Sequence, residues 1–414
     1  MLNLKVKRED LTNALAACTS IMDAKSNLAV LQNVLLTAED GGLSLRSTDI
    51  DLTYQTRIPA DVLEPGTVAL PGKTFLDIVK VGNAEDVTVS IDEVFLAKVS
   101  CGALDTTIYG LSADDFPRLL ETDNAVFCDV DARDLADGID KTIMATTVGD
   151  ETYTLKGVYF TRAQINQDRG RPEPAPVMTD ALSSTPDPPE KPAAAPGDEA
   201  GTPQRMEMVS TDAQHMTVAT ILAESLDFLP PEEGILVPRK GLQQMLNICR
   251  SADVVSLAMA LSNLVVKTEN TFLAVRLLEG RFPDYADVVP ANNDIKIWLN
   301  SKDLAEVLKR TSVILAKEFQ IAVFDFQPGL LTISCMNASK GTTKESMAID
   351  YKDRGVVVRF NPHFYLDILK TLKSQNILLE YNEANPAFLL TAPEDPGFYG
   401  VIGVASSGDA SQNY

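Results

Sequence analysis

Few residues in this 414-residue chain have the types and spacing that catalysis requires. It contains two histidines, His215 and His363, beside 58 acidic residues, so a carboxylate-dependent hydrolase is the main enzyme class to weigh. The Gly-rich phosphate loop, HExxH and GxSxG patterns of phosphoryl transfer, zinc chemistry and acyl transfer do not occur in the sequence. We therefore predict that the chain is not an enzyme and that it uses no metal or other cofactor.

The cysteines and the first residues bear on the cellular compartment. The five cysteines are scattered without a CxxC pair, a pattern typical of a reduced cytoplasm and not of a disulfide scaffold or a zinc site. Residues 1–6 alternate apolar and polar side chains, as a strand does, and no apolar run is long enough to cross a membrane. We expect a cytoplasmic protein without a signal peptide or a membrane partner.

An internal repeat determines the elements that must position any site. Three segments contain Asp-Leu followed by an apolar residue four positions later, which places both apolar side chains on one helix face. They are 8–15, 132–139 and 301–308. Three others have proline just ahead of an amphipathic run, a signal for a helix start. They are 70–79, 237–246 and 361–369.

The spacing of the repeat predicts three domains and one insertion. The interval from Leu11 to Leu135 is 124 residues, and the interval from Leu135 to Leu304 is 45 residues longer. The excess matches residues 164–205, whose Pro, Ala, Asp and Glu content cannot form a core and predicts disorder. The predicted domains are 1–124, 125–293 with this insertion, and 294–405, followed by a polar tail over 406–414.

Short alternating runs between the helices predict strands, as at 43–47, 87–91 and 330–334. Each repeat should therefore contain a helix, several strands, a second helix and more strands. The fold class predicted is α+β, with two helices on antiparallel sheet in each domain. Asp49 and Asp212 occupy equivalent repeat positions, which indicates a structural role in a turn.

Positive charge is concentrated in the predicted helices. Over the six helical stretches, Lys and Arg number 13 and Asp and Glu number 9, although the whole chain carries a formal charge of −22. If all six helices shared one surface, that surface would be mildly basic and the remainder strongly acidic. Such a surface fits sequence-independent phosphate contact, and it fits equally a solvated helix face with extended lysines.

Five motifs resemble the bacterial DNA polymerase III beta subunit, the sliding clamp family. The resemblance extends along the whole chain except for the insertion and about the last ten residues. The motifs are LQNVLL at 31–36, LSL at 43–45 with Thr48-Asp49, DFP at 115–117, VPRKG at 237–241 and GRFPDY at 280–285. The last two are the most diagnostic.

The resemblance implies three tandem copies of the DNA-clamp fold and a head-to-tail homodimer that forms a six-domain ring. Twelve helices would line a hole through which double-stranded DNA passes without sequence recognition. The ring would tether the replicative polymerase, DNA polymerase III, for processive DNA replication. Retention by topology explains how an acidic chain could serve DNA, and weak phosphate contacts would permit sliding.

The resemblance also implies positions for three surfaces. The DNA-binding positions would be Lys25, Lys73, Lys80, Tyr153, Arg239 and Lys240. Ring closure would place Ile108 of one chain against Ile314 and Leu315 of its partner. A hydrophobic pocket between the second and third domains would bind peptides of the polymerase alpha subunit, the clamp loader delta subunit and other repair and replication proteins. Its positions would be Leu155, Thr211, His215, Met216, Pro283, Val288, Phe319, Asn361, Phe364, Val401, Ile402 and Val404.

Departures from the family pattern leave one alternative function open. The chain has Ala213-Gln214-His215-Met216 where the family commonly has Gly-His-Arg-Leu, and its C-terminal residues differ from the family's Met-Pro-Met-Arg-Leu. Asp287 also stands where a basic residue is common. The alternative to a working clamp is a diverged clamp-like scaffold with altered partner binding.

Overall fold

The computed structural model of the chain describes residues 2–22, 26, 28–39, 41–147, 153–163, 203–231, 233–315 and 320–405. Most of the predicted insertion lies outside the described residues, and so does the predicted tail over 406–414. Gln204 already begins a strand, so the last two positions assigned to the insertion belong to the sheet.

Six α-helices occur in the described part of the chain, two in each repeat. Their bounds are α1 Arg8–Ile21, α2 Gly72–Val81, α3 Ala132–Thr142, α4 Arg239–Cys249, α5 Ser301–Thr311 and α6 Pro362–Thr371. Capping side chains stand at the N-termini of several of these helices. Asn300 accepts hydrogen bonds from the backbone N–H groups of Lys302 and Asp303 at the start of α5, and Asn361 precedes Pro362, the first residue of α6.

Strands fill the intervals between these helices. The described strands are β1 Leu2–Lys7, β2 Asn33–Glu39, β3 Gly42–Thr48, β4 Leu52–Pro59, β5 Asp61–Glu64, β6 Gly66–Pro71, β7 Asp86–Ile91, β8 Leu96–Cys101, β9 Leu104–Tyr109, β10 Cys128–Asp131, β11 Gly157–Arg162, β12 Gln204–Thr211, β13 His215–Ala223, β14 Ile235–Pro238, β15 Val254–Ala260, β16 Asn263–Lys267, β17 Thr271–Arg276, β18 Ile295–Asn300, β19 Ala322–Gln327, β20 Leu330–Asn337, β21 Gly341–Ala348, β22 Val356–Phe360, β23 Asn376–Tyr381, β24 Ala387–Thr391 and β25 Phe398–Gly403. The order of helices and strands predicted for each repeat is confirmed.

The predicted apolar helix faces are buried. The Asp-Leu motif places Leu11 and Leu15 on the core side of α1, and the corresponding pairs of α3 and α5 are also fully buried. In the second helices, Phe75 and Leu242 occupy similar core positions. Burying one such side chain contributes about 1.5–3 kcal/mol, so these faces hold each helix on its sheet.

Contacts divide the chain into two compact units that do not coincide with the repeats. Unit 1 comprises Met1–Arg133, Asp227–Leu229 and Lys240–Leu277. It contains a five-stranded sheet in the order β5-β1-β7-β8-β9 and an eight-stranded sheet in the order β10-β15-β16-β17-β4-β3-β2-β6. The second sheet joins two repeats, because β17 pairs antiparallel with β4, from Thr271 opposite Thr56 to Val275 opposite Leu52.

Unit 2 comprises Asp134–Leu226, Pro230–Arg239 and Leu278–Tyr414. Its eight-stranded sheet runs β14-β11-β12-β13-β25-β24-β23-β18, and a four-stranded sheet runs β21-β20-β19-β22. The antiparallel pair β13 and β25 joins the second and third repeats. Phe324, Phe360 and Tyr365 lie in the core of this unit, with ring centroids 5.4–5.5 Å apart.

The predicted turn role of Asp49 and Asp212 is confirmed. Oδ1 of Asp49 accepts a 2.7 Å hydrogen bond from the backbone N–H of Leu52, and Oδ1 of Asp212 accepts from Gln214 and His215. The third repeat uses Asn337 in the corresponding turn between β20 and β21. Short polar side chains that accept hydrogen bonds from backbone N–H groups favour such turns. The same kind of hydrogen bond therefore closes the corresponding turn in all three repeats.

A buried ammonium group links α3 to the turn before β25. The Lys141 side chain is 6% exposed, and its Nζ contacts carboxylate oxygens of Asp137 and Asp395. Lys373 approaches the second oxygen of Asp137 at 3.0 Å. Because a buried charge is costly without partners, removing one member of this group should destabilise the others.

We expect Lys141→Ala to lower the free energy of unfolding by about 2–4 kcal/mol, since two acidic groups would lose their buried cation. Urea denaturation measures the change. Lys5→Ala is the matched control, because Lys5 makes a 2.9 Å ion pair with Asp86 at the surface and should matter little. Equal effects of the two substitutions would contradict the importance of burial.

The same substitution should change the pH dependence of stability. Burial acts to raise the pKa of Asp137, but Lys141 and Lys373 outweigh it and hold that pKa below its ordinary value. The carboxylate therefore stabilises the fold above its unfolded-state pKa, and this contribution is lost as the pH falls through the folded-state pKa. We expect the stability deficit of Lys141→Ala to shrink as the pH falls below the ordinary carboxyl value of about 4 and through the lower folded-state pKa of Asp137.

Candidate functional site

Two of the predicted DNA-binding lysines share one face of α2. Lys73 and Lys80 are exposed, whereas Phe75, Leu76 and Val79 are buried on the opposite face. The lysines are two helical turns apart, roughly 10 Å along the axis. Such a row of charges can contact successive phosphates without reading bases.

Arg239 is anchored by structural hydrogen bonds at the start of α4. Its Nη1 donates to the carbonyl oxygen of Ile143 at 2.8 Å and to Oγ1 of Thr146 at 2.6 Å. The side chain is half-buried. One guanidinium nitrogen thus joins Arg239 to the segment that follows α3, a function that the sequence does not indicate.

Lys240 is exposed, yet it contacts two acceptors of unit 1. Its Nζ donates to the carbonyl oxygen of Ile21 at 3.0 Å and contacts Oδ2 of Asp49. Lys25 and the side chain of Tyr153 lie outside the described residues, so their assignment stays a prediction.

The helices keep the sign of charge predicted for them. Within the bounds of α1 to α6 there are 11 basic and 9 acidic residues, in a chain whose formal charge is −22. The excess is smaller than the sequence windows gave, because α4 ends before Arg250 and α6 ends before Lys373. The helices remain the less acidic part of the molecule.

Most of the predicted peptide-pocket residues are brought together by the pairing of β13 with β25. His215 lies opposite Ile402, and Met216 lies opposite Val401. Met216 and Val401 belong to a buried apolar cluster that also includes Leu155. Phe364 and Val404 are partly buried against the neighbouring cluster of the third repeat, which contains Ile402.

His215 forms a contact between β13 and α6. Its imidazole stacks on the Phe364 ring with centroids 4.0 Å apart and an angle of 18° between the planes. Thr211 is partly buried, and its hydroxyl donates a 2.8 Å hydrogen bond to the His215 carbonyl oxygen. Asn361 caps α6 by accepting from the backbone N–H of His363, which holds Phe364 in place.

The surroundings of Asp212, the acidic neighbour of His215, shift the pKa of its carboxyl group. Oδ1 of Asp212 lies 2.9 Å from Nδ1 of His215. Burial acts to raise the pKa of Asp212, but the His215 side chain and the backbone N–H groups of His215 and Gln214 outweigh burial. The pKa of Asp212 therefore lies below its ordinary value.

The remaining predicted pocket positions are less closely packed. Pro283 and Val288 are exposed in the connection after β17. Phe319 lies outside the described residues. These three assignments stay predictions, as do those of the residues that the strand pairing brings together.

The predicted ring-closing residues differ in exposure. Ile108 lies on β9, the edge strand of the five-stranded sheet, but only 7% of its surface is exposed. Its neighbour Tyr109 is 81% exposed. Ile314 and Leu315 are partly buried against the core of the third repeat, and the 3-10 helix Ser312–Ile314 contacts β20 and β21. The edge of β9 therefore exposes Tyr109 much more than it exposes Ile108.

The aromatic residues of the GRFPDY motif have structural contacts that were not assigned from the sequence. Phe282 stacks on Tyr159 with ring centroids 5.0 Å apart. Tyr285 donates its hydroxyl to Glu207 at 2.7 Å, and burial raises the pKa of Tyr285 well above its ordinary value. Phe282 belongs to the buried cluster that contains Met216 and Val401, and Tyr159 and Tyr285 pack against that cluster. The recurring Phe-Pro at 116–117 and 282–283 was the available signal.

Comparison with known families identifies the fold. Models of the N-terminal, central and C-terminal domains of the DNA polymerase III beta subunit match residues 2–120, 201–284 and 286–403. The chain belongs to the DNA polymerase III beta subunit family. It therefore contains three tandem clamp domains, as the resemblance implied.

Curated relatives and solved structures agree along nearly the whole chain. The beta sliding clamp of Chlamydia pneumoniae is 25% identical over 386 residues, which cover 93% of this chain and 94% of the relative. That of Caulobacter vibrioides is 25% identical and covers 96% and 97%. A crystal structure of the Caulobacter crescentus clamp has a TM-score of 0.84 at 23% identity, with 98% and 99% coverage.

Family membership establishes the general function. The family comprises DNA sliding clamps, the non-catalytic processivity factors of DNA polymerase III, and DNA and the polymerase are accordingly the partners of this chain. The prediction that the chain is not an enzyme is confirmed. In the part of the chain that the structure describes, no helix has the length and apolar character needed to span a membrane.

We expect Asp212→Ala to lower the free energy of unfolding by about 1–2 kcal/mol, because two backbone N–H groups lose their acceptor. Asp212→Asn retains the acceptor oxygen and should restore much of the loss. Thermal and urea denaturation of both variants measure the difference. Equal losses would show that the carboxylate charge near His215, and not the closure of the turn, is what stabilises this hairpin.

Proposed function

We propose that two copies of this chain close head to tail into a six-domain ring that encircles duplex DNA and tethers DNA polymerase III. The observation that carries this proposal is the presence of three consecutive clamp domains in a chain whose described outer strands include unpaired edges. Retention on DNA is then topological. A protein with a formal charge of −22 can stay on DNA in this way without binding it tightly.

The edges of two sheets support the closure. Strand β9 ends the five-stranded sheet and β21 ends the four-stranded sheet, so each offers backbone N–H and C=O groups on one side. The 3-10 helix Ser312–Ile314 lies beside β21, and Leu315 follows it directly. Pairing of β9 with β21 of a second chain would satisfy both edges, and two such heterologous contacts would close the ring.

The helices support a lining of weak phosphate contacts. Their small excess of positive charge, with Lys73 and Lys80 exposed on α2, suits contacts that break and re-form as the ring slides. Arg239 and Lys240 extend this proposal to α4. The strongly acidic remainder of the chain would repel DNA from other surfaces.

The His215–Phe364 pair and the apolar residues around it support a peptide site. Phe364 and Val404 are partly exposed, and His215, which stacks on Phe364, is followed in β13 by buried Met216 opposite Val401. Partly exposed apolar side chains beside a buried Met suit an adaptable groove. We propose that it binds short motifs of the polymerase alpha subunit, the clamp loader delta subunit and other replication and repair proteins. These partners imply a cytoplasmic location.

A diverged scaffold is the second candidate. His215 and Met216 differ from the family's common Arg-Leu, and the segment after Ile402 differs from its common C-terminus. A polymerase-derived clamp-binding peptide separates the two functions. A scaffold would fail to bind this peptide at high micromolar concentration while retaining the ring.

The proposed ring predicts a dimer whose interface a single substitution can disrupt. Light scattering across a dilution series should give twice the chain mass of 44.9 kDa. Leu315→Asp should give the monomer mass, because a carboxylate would lie in an apolar contact. Leu261→Asp is the control, since Leu261 is 87% exposed in the turn between β15 and β16 and should leave the dimer intact.

Retention on DNA tests the topology directly. Protein assembled on nicked circular duplex should remain bound through gel filtration at high salt and be released when the circle is linearised. Leu315→Asp should not be retained on either form. A monomeric native protein, or equal retention on circular and linear DNA, would contradict the ring.

Peptide binding tests the groove. We expect Phe364→Ala to weaken the polymerase-derived peptide about tenfold or more, because it removes the stacked aromatic side chain from the groove. Isothermal titration calorimetry measures the affinity. Met336→Ala removes a similarly apolar side chain, 68% exposed near the end of β20, and should not change it. Equal affinities for all three proteins would place the peptide elsewhere.

A further inference from the structure

The Asp49 carboxylate is held rigidly in the turn between β3 and β4. Its side chain is 9% exposed, and Oδ1 accepts the backbone N–H of Leu52 at 2.7 Å. The Asp49 backbone N–H in turn donates to the Leu52 carbonyl at 3.1 Å. With Oδ1 engaged, the second oxygen has a defined direction, and it contacts Nζ of Lys240.

Lys240 thus has two negative neighbours on one ammonium group. Besides Asp49, its Nζ donates to the carbonyl oxygen of Ile21 at 3.0 Å. Ile21 is the last residue of α1, where the unsatisfied carbonyls carry partial negative charge. Among the described side chains, no acidic group forms such an ion pair with Lys73 or Lys80.

The lysine contact is not required to form the turn. In the second repeat, Asp212 closes the equivalent turn with the backbone N–H groups of Gln214 and His215, and it has no lysine partner among the described residues. The turn between β3 and β4 therefore has a sufficient local cause in Asp49 Oδ1. The contact between Asp49 and Lys240, which are 191 residues apart, is an additional feature of the first repeat.

We propose that Asp49 is a positioning residue that restrains Lys240 and weakens the contact of Lys240 with the phosphates of DNA. This inference rests on the proposed DNA-facing position of Lys240. To contact a phosphate fully, the ammonium must leave or share the Asp49 carboxylate, so the pair offers DNA little net charge. The lysine then contributes to centring the duplex while its contact stays weak enough for sliding.

The substitution that tests this is Asp49→Asn, which retains an oxygen acceptor for the Leu52 N–H and removes the charge that holds Lys240. Binding of a short fluorescent duplex is measured by anisotropy over a range of salt concentrations. We expect affinity at low salt to rise severalfold. The dependence of log affinity on log salt should steepen by roughly one unit, because one more phosphate is neutralised.

Asp51→Asn is the matched control. It removes the same charge two residues away, but Asp51 is 70% exposed and reaches only Arg276, at 4.0 Å. The double variant Asp49→Asn with Lys240→Met should return affinity and salt dependence to the unsubstituted values. Asp49→Ser, whose hydroxyl can accept the turn N–H, replaces Asp49→Asn if the latter does not fold.

The outcomes separate this inference from the ring. Equal effects of Asp49→Asn and Asp51→Asn would reduce the result to a general field effect and overturn the positioning role, and so would no effect of Asp49→Asn. A native protein that slides off circular and linear DNA alike would instead contradict the ring itself. Retention of the native protein on circles together with a specific Asp49→Asn effect supports both.

Discussion

Main-chain hydrogen bonding between strands of successive repeats is the constraint on which the rest of the structure depends. Strand β17 of the second repeat pairs with β4 of the first, and β25 of the third pairs with β13 of the second. Each pairing converts two edges into the interior of an eight-stranded sheet. Edges are sites of unsatisfied backbone groups, so the repeats protect each other at these junctions, while β9 and β21 remain outer strands of their sheets.

The same two junctions differ at one helix position, and the difference decides how closely helix and sheet pack. The third residue of α4 is Gly241, and a Cβ there would lie 2.3 Å from Val275 of β17. Helix and strand therefore pack directly against each other. The third residue of α6 is Phe364, which stacks on His215 of β13 and stays partly exposed. An aromatic side chain that is packed on one side and open on the other suits an adaptable groove.

In the proposed ring, the charge distribution would keep attraction to DNA weak along the helices. The helices carry a small positive excess within a strongly acidic chain, and two of the basic residues proposed to contact DNA are partly engaged by the protein. Arg239 uses Nη1 to bond Ile143 and Thr146, and Lys240 contacts Asp49. A sliding ring needs contacts that are frequent and brief, and groups already held by the protein satisfy that need.

The sequence by itself determined the repeat, the six helices, the α+β class and the turn function of Asp49 and Asp212. These follow from periodicity, capping and turn chemistry within a few residues, as for Leu11 and Leu15 on one face of α1. Only the tertiary structure decided that Ile108 is buried while Tyr109 is exposed, and that Asp49 meets Lys240. Those outcomes depend on which strands pair and how helices pack across nearly two hundred residues, and no local pattern encodes such distances.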